Sequence, residues 1–502
     1  MKTITGRILA LTIAFTLCLG TVGLVTASAS EVKPTLQFLM PNVSIDPATY
    51  YPALTEQALT GYKIEYEMLP AENSLDALNM KIATGTEYDL IHVGGNYANR
   101  AALENFAKQG ALVELDDLLA EYGPNILAAV SERAWEMTKV DGKTYVIPNL
   151  DPAVNPKGNM FDQIVLRQDW MDALNLATPT TTAELRDVLQ AFKDNDPGSQ
   201  GEQNIPFVLA STPNIGCIMG SFGIYHSWNA VDGKMVADIC DPRYYDYLKY
   251  MAGLYADGLI DPEFPINKGT TKTEKFTSGR AGATIHPVYD LGPITDALAN
   301  VVPESVLDVI LCMTNADGVR LMGASSGLNY VAAIPTSCKN PIEVIKFLNI
   351  KLQPDNFRQT VIGEEGVHYT VEDGSYIPIQ PKFFDELNFG NNFITGADDA
   401  MYGIYWGARV KKDMRNWDAY VKTTLSEPNP AVTNPIDSAS LLPEFVKNQA
   451  ALEAMVADYA IKIIAGAEDL DSSIDAFIAK WRAEGGDIVE QEINEWYATF
   501  AQ

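Results

Sequence analysis

The chain has 502 residues, 47% of them apolar, and a formal net charge of −29. Its length exceeds one ordinary domain, so two lobes or more are expected. Such a negative surface repels nucleic-acid phosphates and anionic membranes, which excludes nucleic acid as a partner; a strongly anionic ligand is disfavoured unless a local basic pocket overrides the field.

Lys2 and Arg7 open the chain, an apolar run follows from Ile8 to Val25, and Ala27-Ser28-Ala29 closes it. A basic start, an apolar core and a small-x-small site read as a secretory signal peptide over residues 1–29. Cys18 follows Leu17 rather than a small residue. It therefore reads as part of the apolar core, with a lipid anchor through Cys18 the less favoured alternative. No later stretch approaches the ~20 apolar residues that span a bilayer. The mature chain is expected outside the cytoplasmic membrane, at the cell envelope.

Residues 34–40 alternate as a first strand, and residues 62–69 as a second. Residues 48–59 lie between them with helical spacing. Ser74 is expected to cap a helix that carries Leu75, Leu78 and Ile82 on one stripe and stops at Gly85. Residues 88–93 form a short buried-type strand, ending in Gly94-Gly95-Asn96, and a helix follows. This alternation is the α/β pattern, with ligand sites beyond the carboxyl ends of strands. Asp141-Gly142 is a hairpin turn. The Pro-, Asn- and Gly-rich stretch 148–158 is a crossover. Thr181 and Glu184 form a capping box, and Asp241-Pro242 and Asn340-Pro341 start further helices. Residues 283–285 form a strand ending at His286-Pro287. The last quarter is mostly helical, with Val489, Ile493, Trp496, Tyr497 and Phe500 on one docking stripe.

Catalytic signatures are missing. There is no GxSxG, GxxxxGK[ST], GxGxxG after a strand, or HExxH. The four histidines, His92, His226, His286 and His368, are widely spaced. His92 sits in an apolar strand and reads as a satisfied core residue. With 65 acidic residues, a glycosidase-like carboxylate pair at about 5–10 Å can be neither assigned nor excluded by counting. Cys217, Cys240, Cys312 and Cys338 form no CxxC pair, which speaks against metal binding; buried free thiols are the favoured reading, with three disulfide pairings formally open. Asp194, Asp196, Ser199, Gln200, Glu202 and Asn204 have a calcium-like alternation, and a plain polar turn is the competing reading.

Several segments in order resemble family 1 extracellular solute-binding proteins of ABC importers, in the Gram-positive oligosaccharide-binding branch. Residues 140–148 (VDGKTYVIP) are similar to the family's hairpin. Residues 166–176 (LRQDWMDALNL), then Pro179-Thr180-Thr181 and Glu184-Leu185, are similar to its next conserved segment. Residues 191–197 continue the match. Ile463-Ile464-Ala465-Gly466, then residues 481–487 and Glu495-Trp496-Tyr497, resemble the branch's ending. One departure is in the calcium-type loop, where Gln203-Asn204 stand in place of two carboxylates. Losing two charges weakens a hard-cation site, so no metal is expected. The missing lipid-anchor pattern is a second departure.

The resemblance implies an α/β, two-lobed periplasmic-binding-protein-like fold (type 2), with hinge-linked lobes, a ligand cleft and a helical C-terminal region. The expected division is lobe 1 over 30–150, lobe 2 over 151–322, a return to lobe 1 over 323–375, and lobe 2 with C-terminal helices over 376–502. It implies a monomer that hands a carbohydrate to membrane permease subunits, with no catalytic residue and no cofactor. A receptor for a peptide and a secreted polysaccharide-degrading enzyme are the rival readings. Sugar recognition needs flat aromatic faces and planar hydrogen-bonding groups. Past the expected strand ends these are Asn96, Tyr97, Tyr145, Asn149, Arg167, Trp228, His286, Tyr289, Asn329, Tyr330 and Trp406.

Overall fold

The computed structural model describes residues 32–500, except 44, 86, 152–162, 316, 319, 325, 388–395, 424, 426–430 and 440. The expected signal peptide, Cys18 and most of the 148–158 crossover lie outside the described residues.

In chain order, the first strands are β1 (Thr35–Met40), β2 (Lys63–Met68), β3 (Leu90–Gly94) and β4 (Val146–Leu150). The chain continues with β5 (Gln163–Arg167), β6 (Ile205–Phe207), β7 (Trp228–Val231), β8 (Lys234–Ala237), β9 (Ala281–His286) and β10 (Leu307–Ile310). Then come β11 (Met322–Ala324), β12 (Leu328–Ala333), β13 (Tyr369–Glu372), β14 (Ser375–Pro378) and β15 (Ala431–Thr433).

The first sheet has the order β2-β1-β3-β12-β4. β1 is parallel to β2 and β3, while β12 runs antiparallel between β3 and β4. The second sheet has the order β10-β5-β9-β6. There β5 is antiparallel to β9 and β10, and β6 is parallel to β9. Each sheet has its own apolar core. The first draws on residues from Leu36 to Leu150 and from Leu328 to Ala408. The second draws on Ile164 to Met322 and on Ile436 to Ile493. A smaller core joins Val165, Ala281 and Val309 of the second sheet to Val410, Ala419 and Tyr420.

The first core therefore continues beyond 375, through Phe383, Leu387, Tyr402, Tyr405 and Ala408. Helix Asp399–Val410 is the reason. Tyr402 and Tyr405 face the first core, while Trp406 and Val410, one helical turn apart, face the small core of the second sheet. One helix thus belongs to both lobes.

Local chemistry explains most element ends. Thr181 accepts from the Glu184 amide, and Glu184 reaches back to the Thr181 amide, so the capping box forms as expected. Asp241 caps helix Pro242–Ala256 through the Arg243 amide. Asp141 and Gly142 both adopt positive φ, as a primed hairpin turn requires. Ser74 is not the cap of its helix; that position falls on Asn73, with φ of 54° and no side-chain cap bond. Val489 and Ile493 bury the C-terminal helix as the stripe demands. Among the described residues no helix is long and apolar enough to cross a membrane.

Candidate functional site

The chain leaves the first sheet after Leu150, joins the second at Gln163, and returns at Leu328. These ends gather four of the expected residues. Tyr330 lies opposite both Gly94 and Asn149 in register. The Gly95 amide donates to the Asn329 carbonyl at 2.7 Å. Asn96 is exposed and caps helix Tyr97–Lys108 by accepting from the Asn99 amide at 3.0 Å. A Cβ on Gly95 would lie 2.6 Å from the Leu328 carbonyl oxygen, so only glycine lets the β3 and β12 ends meet. Gly95→Ala is expected to cost about 1–3 kcal/mol, read as a lower urea midpoint. An unchanged midpoint would mean that the β12 end shifts freely.

Asp151, which the sequence reading passed over, stands at the exit of β4. Its charge adds to the effect of burial on the phenols of Tyr330, Tyr402 and Tyr420, which come from separate elements. Burial and this charge push Tyr330 and Tyr420 up to about 12, and Tyr402 further in the same direction. All three stay neutral at ordinary pH and keep their O–H donors. Trp406 and Trp417 flank Tyr420 at 5.5 and 5.8 Å between ring centres.

His286 ends β9 and pairs in register with Gln163, the first residue of β5. Its Nδ1 lies 3.2 Å from Asp290 and its Nε2 lies 3.2 Å from the Thr273 hydroxyl. Burial lowers its pKa against the pull of Asp290. Three residues on, Tyr289 is 43% exposed, and its carbonyl accepts from the Asn416 side chain at 2.9 Å. His286, Tyr289 and Trp406 therefore lie around the second sheet's side of the crossover.

The other expected residues have different surroundings. The Tyr97 hydroxyl accepts from the Leu442 amide at 2.7 Å, and its ring lies 5.2 Å from Phe445. Tyr97 thus docks helix Pro443–Ile464 of the second lobe onto the first. Tyr97 and Tyr145 line a cavity of about 140 Å³, walled by Arg100, Thr138, Val331 and Leu441. Trp228 packs in the second core beside Trp481 at 6.0 Å. These two tryptophans, with Phe445, Asn214, Asp238 and Gln449, line another cavity, of about 380 Å³. Burial raises the Asp238 carboxyl to about 7. Arg167 ends β5 opposite Leu307, at the far end from Gln163 and His286. There its Nε donates to Asp169 at 2.8 Å and it lies over Trp170 at 5.0 Å. These contacts hold it away from the other candidates.

His92 is buried and stacks on Tyr330 at 4.7 Å. Neither ring nitrogen has a hydrogen-bond partner. The residue is in the core as expected, but it is not satisfied there. The 194–204 loop is knit internally: Asp196 accepts from the Gln200 and Gly201 amides at 2.8 and 2.7 Å, and Asn204 donates to the Phe192 carbonyl. Among the described residues no group of three or more metal-ligating side chains is gathered. Cys217 and Cys312 are buried, and Cys338 donates to Asp89 at 3.2 Å.

Two sheets with separate cores, joined by crossing segments and a shared helix, describe a two-lobed binding protein. The profile of the bacterial extracellular solute-binding protein family matches residues 42–355, and the chain belongs to that family. It is 27% identical over 452 residues to the polygalacturonan/rhamnogalacturonan-binding protein YtcQ of Bacillus subtilis (strain 168), covering 88% of this chain and 86% of that one. It is 30% identical over 250 residues to the fructooligosaccharide ABC transporter substrate-binding protein FusA of Streptococcus pneumoniae serotype 4, covering 46% of each chain. The solved structure of S. pneumoniae FusA with kestose superposes with a TM-score of 0.68 at 22% identity, over 93% of this chain and 99% of that one. Alginate-binding protein AlgQ2 without calcium ion superposes with a TM-score of 0.67 at 20% identity, over 93% and 99%.

Proposed function

We propose that this chain is the exported solute receptor of an ABC importer, that its solute is an oligosaccharide, and that it catalyses nothing. The aromatic group of Trp406, Trp417 and Tyr420, with the exposed Tyr289 beside Asn416 and the half-buried Tyr330 at the β12 end, carries this reading. Aromatic faces cover the apolar side of a pyranose, and neutral phenols and a carboxylate take its hydroxyls. The names of YtcQ and FusA point the same way. Lobe closure on the sugar supplies contacts made only in the closed state, and permease subunits read that state. The receptor acts as a monomer after loss of residues 1–29. Asn96, Asn149, Asp151, His286, Tyr289, Asn329, Tyr330 and Trp406 are the residues assigned to the cleft.

A thermal-shift screen of mono- and oligosaccharides tests this. A true ligand raises the melting point with concentration as RT ln(1 + [L]/Kd). Tyr289→Ala and Trp406→Ala are each expected to weaken the sugar that shifts it by about tenfold or more. Shifts by peptides alone would overturn the carbohydrate assignment. Release of shorter sugars from a bound oligosaccharide would overturn the receptor assignment.

A further inference from the structure

The cavity lined by Trp228 and Trp481 belongs to the second lobe's own core, apart from the residues assigned to the cleft. Trp228 opens β7, Trp481 ends helix Leu470–Trp481, and Phe445 enters from helix Pro443–Ile464. A Cβ on Gly486 would lie 2.3 Å from the Trp481 ring, so the bare glycine backbone packs against the indole and fixes it. Asp238 follows β8, in the turn Asp238–Cys240, and is 4% exposed. Among the described residues its carboxylate accepts a single hydrogen bond, from the neighbouring Ile239 amide at 2.6 Å. The charges that act on it, Glu453 and Asp241, are both negative, and Arg243 is taken up by Asp241 at 2.6 Å. Glu453 lies two helical turns beyond Phe445 and lines the same cavity. Among the described residues no lysine, arginine or histidine lines it.

A carboxyl taken out of water without a cation beside it is costly to ionise, and burial accordingly raises Asp238 to about 7. An incoming positive charge relieves that cost and lets the acid ionise. The aromatic walls add a second attraction, because indole and phenyl faces draw cations. Among the described residues no third metal-ligating side chain joins Asp238 and Glu453, so the aromatic walls select an organic cation over a metal ion. The cavity measures about 380 Å³, within the range that holds a small-molecule ligand. The net charge of −29 raises the concentration of cations near the chain. We propose that this cavity is a second ligand site, separate from the cleft, for a small organic cation: an ammonium group on a body about the size of a sugar ring. The ammonium meets Asp238 with Glu453 beside it, and Trp228, Trp481 and Phe445 enclose the rest.

The test is isothermal titration of the mature full-length protein at pH 7 with three probes: glucosamine, choline and glucose. Glucose puts a hydroxyl where glucosamine has its ammonium, and choline carries the charge without the sugar. Glucosamine, choline or both are expected to bind at least about tenfold more tightly than glucose, the size of one charge-assisted contact with an aromatic wall. Glucosamine alone points to an amino sugar and choline to an alkylammonium, and either supports the site. Asp238→Asn keeps the shape, removes the charge and is expected to lose at least about tenfold of that affinity. Glu453 is exposed, so Glu453→Gln tests the site even where Asp238→Asn does not fold; it is expected to lose about threefold. Equal binding of all three probes, or binding of none, by the unsubstituted protein overturns the proposal and needs no variant. Unchanged affinity in folded Asp238→Asn, or in Glu453→Gln where Asp238→Asn does not fold, also overturns it. The carbohydrate reading of the cleft stands or falls separately, by the sugar screen above.

Discussion

His92→Phe is expected to protect this protein from acid. His92 is fully buried on β3, its ring nitrogens have no partners, and Lys351 adds an unfavourable cation nearby. Burial first, and Lys351 second, lower its pKa to about 3 from an ordinary 6.5. In the unfolded chain His92 takes a proton near pH 6.5; in the folded chain it refuses one until about 3. The unfolded state binds more protons between those values, so stability rises with pH across the window. His92 is silent above 6.5, and acidification from there removes stability down to about 3. The loss amounts to on the order of 5 kcal/mol at most. Phenylalanine suits the strand and keeps the stack on Tyr330. Urea unfolding of both proteins at pH 7 and pH 4 gives the answer. The unsubstituted protein should lose more midpoint between the two than His92→Phe. Equal losses would show that His92 is protonated in the fold without penalty.

The second large effect concerns a buried ion pair. Lys351 and Glu56 have 0% and 2% exposed side chains, with Nζ 3.9 Å from Oε2. The Tyr66 hydroxyl donates to Glu56 at 2.7 Å. Burial raises Glu56 to about 7 and lowers Lys351 to about 8, each against the pull of its partner. The pair is held by its surroundings more than by its own attraction. Glu56→Gln keeps the shape and takes the carboxylate away from the buried Lys351 cation, which still donates to the Gly396 carbonyl at 3.4 Å. It is expected to cost about 3 kcal/mol at pH 7. The deficit has a sign in pH. Lys351 has a folded pKa below its unfolded value of 10.5, so the unfolded chain binds the extra proton. Stability of the variant therefore recovers as pH rises from 7 towards 10. The double variant Glu56→Gln/Lys351→Met removes both charges and should regain most of the loss at pH 7. A double variant no better than the single one would place the cost in packing rather than charge.

The sequence was most readable where one local rule decides the outcome. The Thr181 capping box, the Asp241 cap and the Asp141-Gly142 turn depend on a few adjacent residues, and all form. The α/β alternation and the family likeness likewise led to two lobes. Residues 34–40 read as alternating, but Leu39 is as buried as Phe38 because the strand is covered on both faces. The site was only partly readable. Asn96, Asn149, Asn329 and Tyr330 follow from strand ends. Arg167 sits at the other end of β5, and the spacing of its strand gave no direction for the lobe. Trp417 and Tyr420 share one helix, Met414–Thr423, but Asp151 lies far from it in the chain and no local periodicity links them.

The position of β12 also governs the order in which the chain can assemble. β3 and β4 are both neighbours of β12, so before Leu328–Ala333 arrives each has an open edge. The second core in turn waits for helices beyond Ile436. Neither half can finish without residues that follow the other half in sequence. A cut after Leu150 therefore yields two pieces that lack essential strands, not two domains. During synthesis from the amino end, the first half emerges with hydrogen-bonding edges uncovered for nearly two hundred residues, roughly the span from Leu150 to Leu328. That interval is when the polypeptide is most exposed to mispairing.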